Sequence, residues 1–174
     1  SLNNAPADVI VGNAGNTLSG PVTASGDDVT LNTTGALTAS VTASGDATLT
    51  SGGATTLGAT TVAGNLNVNS TGDVTQTAPL TVAGTSTVTS AQGDVVLSNA
   101  SNNLTGVVTT QGANVTVNTH APQTTVVTAT EDASLSTPST LTVSGTAGSL
   151  ITQSGGTTTL GTTTVKGDVQ ITTN

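Results

Sequence analysis

Glycine recurs every 19 residues along most of this 174-residue chain. Gly26, Gly45 and Gly64 follow this spacing, and Gly93 and Gly112 resume it after one longer interval. Self-similarity at a fixed period near 20 residues is typical of proteins that stack one small structural unit per repeat. The spacing therefore restricts the chain to a solenoid or a related repeat architecture more strongly than any single motif does.

Each repeat contains an alternating apolar pair, then a single Leu, then usually a Val. The pairs are Val9/Val11, Val29/Leu31, Ala47/Leu49, Leu66/Val68, Val95/Leu97, Val115/Val117, Ala133/Leu135 and Val169/Ile171. Period-two spacing places both members of a pair on one side of a strand. Three short strands per repeat, joined by Gly, Asn and Ser turns, predict a coil of triangular section. No segment has the 3.6-residue apolar period of a helix.

The chain contains no aromatic residue, and only 6% of its residues are charged. A compact globule would lack its largest packing units, whereas a narrow interior of Val, Leu and Ala does not need them. We therefore predict an all-β fold, a right-handed parallel β-helix of about nine coils of roughly 19 residues. The hand follows the general preference of parallel crossovers.

The formal net charge is −8, and Lys166 is the only basic residue. Nucleic-acid binding depends on Lys and Arg side chains that displace counterions from phosphates, so it is excluded as a function. Docking on an anionic membrane is excluded for the same reason. No apolar run approaches the roughly 18 residues of a membrane helix, so we expect no direct membrane insertion.

A polar residue follows each apolar pair by two positions. This position holds Asn13, Thr33, Ser51, Ser70, Asn99, Thr119, Thr137 and Thr173. We interpret it as a corner ladder, in which stacked side chains satisfy turn groups of successive coils.

A longer repeat of 86 residues relates the two halves, for example Asp8 to Asp94 and Leu18 to Leu104. The stretch SGGATTLGATTV from Ser51 recurs as SGGTTTLGTTTV from Ser154, displaced by a further 17 residues. Insertion of one whole coil, residues 131–147, explains that difference, and a solenoid tolerates such an insertion. The 19-residue frame breaks within residues 64–92, where we predict an irregular coil or a protruding loop. We predict one solenoid domain, 1–174, as a segment of a longer fibrous protein.

Few residues offer catalytic or metal-binding chemistry. The adjacent acids Asp27/Asp28 and Glu131/Asp132 are interpreted as solvated turn residues, and His120 as an exposed turn residue. No second His and no Cys could complete a zinc site with His120. We therefore predict no catalytic, cofactor-binding or metal-binding residue, no cofactor and no enzymatic activity. A β-helix enzyme acting on polysaccharides is a further alternative, but the chain has no Arg and one Lys.

Gly-Asp dipeptides end at Asp27, Asp46, Asp73, Asp94 and Asp168. If they stacked at one corner, their carboxylates would repel one another, and bound calcium could relieve that repulsion. The calcium-binding nonapeptide pattern is absent. Glycosylation sequons occur at Asn32, Asn69, Asn99, Asn103 and Asn114, as expected by composition in a chain rich in Ser and Thr.

The phrases at residues 55–77 and 79–108 resemble the shaft repeats of filamentous haemagglutinin-like exoproteins, which are large bacterial adhesins of the two-partner secretion type. The resemblance covers nearly the whole chain. It implies a right-handed parallel β-helix, export across the outer membrane, and a role in adhesion or biofilm matrix at the bacterial cell surface.

We therefore expect a structural shaft of a secreted adhesin or extracellular fibre. Its expected partners are further coils of the same chain, a second copy stacked end to end, and an unidentified surface receptor. The alternative is an ice-binding solenoid, because ranks of outward Thr can order water and Thr triplets occur at 157–159 and 162–164.

Overall fold

The structure is a computed structural model that describes residues 1–174. It consists of strands, turns and irregular connections, and no helix long and apolar enough to cross a membrane is found. The 21 strands are β1 (Leu2–Asn3), β2 (Val9–Val11), β3 (Val22–Gly26), β4 (Val29–Thr33), β5 (Leu37–Ala43), β6 (Ala47–Ser51), β7 (Thr55–Val62), β8 (Leu66–Ser70), β9 (Val74–Gln76), β10 (Leu80–Val82), β11 (Ser86–Ser90), β12 (Val95–Leu97), β13 (Asn103–Leu104), β14 (Val108–Gly112), β15 (Val115–Asn118), β16 (Gln123–Ala129), β17 (Asp132–Thr137), β18 (Leu141–Ala147), β19 (Ser149–Ser154), β20 (Thr158–Val165) and β21 (Val169–Thr173).

These strands form two sheets, sheet A with 12 strands and sheet B with nine. Strands that follow one another in sequence mostly lie in different sheets, and each strand pairs in parallel with the strand one coil away. Parallel strands need a crossover between them, and here each crossover is the intervening strand of the other sheet. The chain is an all-β solenoid of about nine turns, which confirms the fold class predicted from the repeat. Its hand stays a prediction.

The interior is one continuous column of 32 buried apolar side chains, all of them Val, Leu or Ala. Alternation within each strand places these side chains inside and Thr, Ser or Asn outside, as in β6, where Ala47 and Leu49 are buried. Because each coil covers the apolar residues of its neighbours, the interior can be narrow and needs no aromatic side chain.

In the N-terminal half, sheet B receives the short strands and sheet A the long ones. Strands β4, β6 and β8 of sheet B have five residues each, whereas β5 and β7 of sheet A have seven and eight. The register between β5 and β7 shifts between Ala39 and Val41, opposite Gly58 and Ala59. This bulge bends the long strand around a corner of the coil.

In the C-terminal half, the two sheets have exchanged roles. Sheet A receives the shorter strands β15, β17, β19 and β21, of four to six residues. Sheet B receives β16, β18 and β20, of seven or eight residues. The bulge moves with the long strand, because the register between β18 and β20 shifts between Val143 and Gly145. We call this change of roles the sheet exchange.

The sheet exchange occupies the coils from β9 to β14, where strands are short in both sheets. Pro79 lies where the preceding coil continues as β7, and a proline has no backbone N–H for a ladder. The long strand is therefore divided into β9 and β10, which pair with the two ends of β7. The next coil is divided in the same way, into β12 and β13.

The break predicted within residues 64–92 is this exchange, and no loop protrudes there. Residues 64–92 contain β8, β9, β10 and β11, each paired with a strand of a neighbouring coil. The interval from Gly64 to Gly93 exceeds one coil because Gly64 precedes a strand of sheet B, whereas Gly93 precedes a strand of sheet A. The predicted single column of apolar pairs is corrected accordingly: the pairs up to Leu66/Val68 line sheet B, whereas those from Val95/Leu97 onwards line sheet A.

The predicted inserted coil, residues 131–147, consists of β17 and β18, one strand from each sheet. Both strands pair with neighbours on either side, so the insertion lengthens the stack and leaves its section unchanged.

Candidate functional site: corner ladders, outer face and buried amide pair

A ladder of acidic and amide side chains lines the corner that leads into the short strands of the N-terminal half. The Asp28 Oδ1 accepts the backbone N–H of Asp46 at 2.7 Å, and Asp46 Oδ1 accepts that of Asn65 at 2.7 Å. Below them, Asp8 Oδ1 accepts the N–H of Asp28 at 3.2 Å, and above them Asn65 Oδ1 accepts that of Thr85 at 2.9 Å. Each side chain therefore satisfies a turn donor of the next coil.

A second ladder of the same kind lies where the chain enters the short strands of sheet A. The Asp73 Oδ1 accepts the N–H of Asp94 at 3.0 Å, and Asp94 Oδ1 accepts that of Asn114 at 2.9 Å. Asn114 continues the ladder by accepting the N–H of Asp132 at 3.1 Å. The ladder has changed corner together with the short strands.

A glycine at which adjacent coils lie too close together for a Cβ precedes three of the ladder residues, Asp46, Asn65 and Asp94. A Cβ on Gly64 would meet the Asp46 Oδ1 and the backbone of Gly45. A Cβ on Gly93 would likewise meet the carboxylate and backbone of Asp73. The recurring Gly-Asp dipeptide is thus a stacking motif, in which the glycine leaves room for the side chain of the previous coil.

The Gly-Asp carboxylates do not form the single acidic column that motivated the calcium hypothesis. They are divided between two corners, and Asn65 and Asn114 interrupt the two ladders. No group of three or more His, Cys, Asp or Glu side chains is arranged to hold a metal ion. The carboxylate oxygens are used instead as hydrogen-bond acceptors for backbone amides.

Hydroxyl side chains form the predicted corner ladder, but in two stacks. In the N-terminal half, Ser51 and Ser70 lie 3.1 Å apart, and both hydroxyls donate to the carbonyl of Gly53. In the C-terminal half, Thr119 donates to the carbonyl of Asn102 at 3.0 Å, and Thr137 to that of Ala121 at 2.8 Å. These bonds satisfy turn carbonyls, so the interpretation is confirmed for these four residues and its one column becomes two. Asn13 and Asn99 instead accept N–H groups of their own turns.

The adjacent acids are engaged in the same ladders. The Asp27 Oδ1 accepts the Ser44 hydroxyl at 2.7 Å, and Glu131 Oε2 accepts the Asn114 amide at 2.9 Å. Asp27, Asp28, Glu131 and Asp132 are exposed, so neither pair is enclosed in a cleft. Their geometry is that of stacked turns.

His120 lies on an exposed turn between β15 and β16. Its backbone N–H donates to the carbonyl of Asn102 at 2.7 Å, and no hydrogen bond involves its imidazole ring. A shallow groove beside it is lined by Ser136, Pro138 and Gln153. No Asp or Glu side chain lines this groove.

The five sequon asparagines differ in how their side chains are used. Asn69 and Asn103 are exposed and make no side-chain hydrogen bond. Asn32 donates to the carbonyl of Gly12, Asn99 accepts the N–H of Ser101, and Asn114 belongs to the second acidic ladder.

The outward side of sheet B carries two uncharged ranks, which we call the outer face. The first rank contains Thr30, Thr48, Asn67, Thr87, Thr109, Val126 and Ser144, and the second contains Asn32, Thr50, Asn69, Thr89, Gln111, Thr128, Thr146 and Thr164. Two residues along a strand span about 6.6 Å, and neighbouring coils are about 4.8 Å apart. Except for Asn32, none of these side chains makes a hydrogen bond within the chain.

A buried amide pair, Gln76 and Asn102, lies inside the sheet exchange. Asn102 is fully buried, and its Oδ1 accepts the Gln76 amide and the N–H of Leu80, each at 2.9 Å. Its Nδ2 donates to Gln76 Oε1 at 2.9 Å and to the carbonyl of Asn118 at 3.0 Å. This pair links three successive coils. The pair could not be recognised in the sequence because neither residue occupies an apolar column, and the only signal is the cluster of Asn at 99, 102 and 103.

Residues 44–111 are similar to a family described as repeats of unknown function (DUF5649). The similar region runs from the turn before β6 into β14, so it includes the sheet exchange. No curated protein and no solved structure matches the chain. The comparison is therefore consistent with a structural repeat protein.

Proposed function

We propose that this chain is the structural, non-catalytic shaft of a secreted bacterial adhesin or extracellular fibre. The observation that carries the proposal is the use of its polar groups. Acidic and hydroxyl side chains at the corners are hydrogen-bonded to turns of adjacent coils, which connects each coil to the next. These polar side chains, which in an enzyme could contact a substrate, form hydrogen bonds within the stack.

The resemblance to filamentous haemagglutinin-like shaft repeats supports the extracellular part of the proposal. About nine coils spaced by one strand separation give a rod of roughly 43 Å. Such a rod holds whatever is attached to it away from a surface, which suits adhesion or a biofilm matrix. Export by two-partner secretion and a cell-surface location are parts of the same proposal.

The proposed partners are further coils stacked on the ends of the rod, from the same chain or from a second copy. In the last coil, Val169 and Ile171 are 50% and 46% exposed, whereas Leu150 and Thr152, one coil earlier, are 0% exposed. A stacked coil would cover these side chains and pair with the open edges of β20 and β21. The receptor that an adhesin would bind is left unassigned.

Electron microscopy of the native material, collected from the culture medium and from the cell surface, tests this proposal. The expected images show straight rods or fibres about as wide as one coil. Globular particles inside the cell would overturn it.

Ice binding is a second candidate function, favoured by the outer face of sheet B. Its side chains are mostly Thr and Asn, repeat at regular spacings in two directions, and are free to bind water. Apart from Thr164, the outer face is not formed by the Thr triplets at 157–159 and 162–164. Its ranks consist of alternate residues of the sheet B strands, whose side chains point outward.

Thermal hysteresis and ice recrystallisation assays test this candidate. Thr87→Lys, at the centre of the outer face, should abolish any activity, whereas Thr75→Lys, outward on sheet A in the preceding coil, should not. No thermal hysteresis in the unchanged chain would remove the candidate.

A further inference from the structure

The coils of the sheet exchange, and the coil of β16 directly after it, differ from the N-terminal coils in their interior. In β11, β14 and β16, three neighbouring strands of sheet B, one inward position in each holds Ser86, Thr110 or Thr125. The equivalent positions of β4, β6 and β8 hold only Val, Leu or Ala. Apolar contacts of the core are therefore replaced by hydroxyl groups in three successive coils, two within the exchange and one directly after it.

These three hydroxyls are buried and have no hydrogen-bond partner. The Gln123 Oε1, on the same strand as Thr125, is also buried without a partner. A buried polar group left unpaired costs about 1–3 kcal/mol. Four of the five such atoms in the chain lie in these coils, and Thr152 in β19 is the fifth. The cost is thus concentrated in the exchange and the coil directly after it.

The sheet A strands are also short in these coils. Strands β9, β10 and β12 have three residues each and β13 has two, against five to eight in β5, β6 and β7. β13 pairs only with β10 and has no strand partner in the next coil. Short ladders provide few hydrogen bonds that must break together when a segment opens.

One feature opposes this weakness, namely the Gln76–Asn102 pair. Fully hydrogen-bonded buried networks stabilise strongly, and their loss leaves several groups unpaired at once. Asn102 contacts the chain on both sides, at Leu80 and at Asn118, so its removal would release both neighbouring coils.

From these observations we infer that the coils from β9 to β16 are a joint in the solenoid. The joint opens as a unit while the coils on either side stay folded, and the Gln76–Asn102 pair holds it closed. Its functional meaning, a place where the shaft yields under tension, rests on the proposed function. The opening itself does not.

Amide hydrogen exchange of the full chain, followed residue by residue by NMR under native conditions, tests the joint. Amides in β11, β14 and β16 should exchange together, and at least tenfold faster than those in β6, β7, β17 and β18, because partly unsatisfied segments open at lower free energy. Equal or greater protection in β11, β14 and β16 would overturn the inference.

A first pair of variants, Asn102→Ala and Asn103→Ala, tests whether the opening is local to the joint. Asn102→Ala should raise exchange in the joint at least tenfold and leave β6 and β18 unchanged, whereas Asn103→Ala, its exposed neighbour, should change neither. Exchange that rises equally in all coils would contradict a local joint.

Thr125→Val provides a test that does not depend on a destabilised chain. It should slow exchange in the joint about fivefold, because an apolar group of the same shape replaces an unpaired hydroxyl. Thr152→Val, the same change outside the joint, should leave exchange in β11, β14 and β16 unchanged. Failure of Thr125→Val to slow exchange would contradict the inference, whereas globular particles in microscopy would count only against the shaft.

Discussion

The stretches from Ser51 and from Ser154 are nearly identical in sequence but occupy different sheets. The first forms β7 in sheet A, and the second forms β20 in sheet B. Both bend at the same glycine, so the local conformation follows the sequence. The sheet that each joins is decided by the coil beneath it, since stacking fixes the register. One repeat can therefore be placed on either side of the solenoid.

The largest expected difference between the two stretches concerns their central leucines. Leu57 is 0% exposed, whereas Leu160 is 40% exposed. Leu57→Ala should lower the free energy of unfolding by about 2–5 kcal/mol, because it leaves a cavity. Leu160→Ala should cost under about 1 kcal/mol, since less buried area is lost.

Urea unfolding followed by far-ultraviolet circular dichroism measures both changes, because the chain has no Trp or Tyr for fluorescence. Equal losses for the two variants would show that Leu160 is covered in solution, contrary to the structure.

A smaller effect is expected from the glycines at the corners. Gly64→Ala should destabilise the chain by about 1–3 kcal/mol, because its Cβ would be forced against Asp46 and the backbone of Gly45. Gly35→Ala, at a corner with nothing within 4 Å of the added Cβ, should change stability little. The midpoint of thermal unfolding distinguishes them, and a stable Gly64→Ala variant would rule out the close stacking of coils.

The two acidic ladders should be equivalent in strength although they lie at different corners. Asp46→Ala and Asp94→Ala should each cost about 1 kcal/mol, because each leaves a turn N–H of the next coil without its acceptor. Chemical denaturation of both variants provides the comparison. A cost confined to one of them would mean that the second ladder is not a copy of the first.

The smallest effect is expected where only charge changes. Asp28→Asn keeps the oxygen that accepts the N–H of Asp46 and removes a carboxylate stacked between Asp8 and Asp46. The free energy of unfolding of this variant should equal that of the unchanged chain or exceed it by less than about 1 kcal/mol, since stacked like charges repel weakly in water. A loss of stability that depends on added calcium would instead show that the Asp28 carboxylate belongs to a metal site.

Much of the fold could be predicted because period and alternation are local properties. The apolar pairs mark strands, and the position held by Ser51 and Thr137 marks a hydroxyl ladder, whichever sheet they join. The sheet exchange could not be predicted, because assigning Val95 to sheet A depends on which strand lies beside it.

The polar groups of the exchange could not be predicted from the sequence for a related reason. Strand β11 has only Val88 as an apolar inward residue, so it carries no alternating apolar pair. The roles of Gln76 and Asn102 depend on contacts 26 residues apart in sequence, across a coil whose length is itself irregular. No pattern within a single repeat contains that information.

Engineered disulfides test the sheet exchange most directly, because the chain has no native cysteine. Thr75 and Val96 are outward register partners in sheet A, within the reach of a disulfide. A chain with Thr75→Cys and Val96→Cys should therefore oxidise readily. A chain with Asn67→Cys and Val96→Cys, which an unbroken frame would stack together, should not. Rapid oxidation of the second pair, with none of the first, would contradict the exchange.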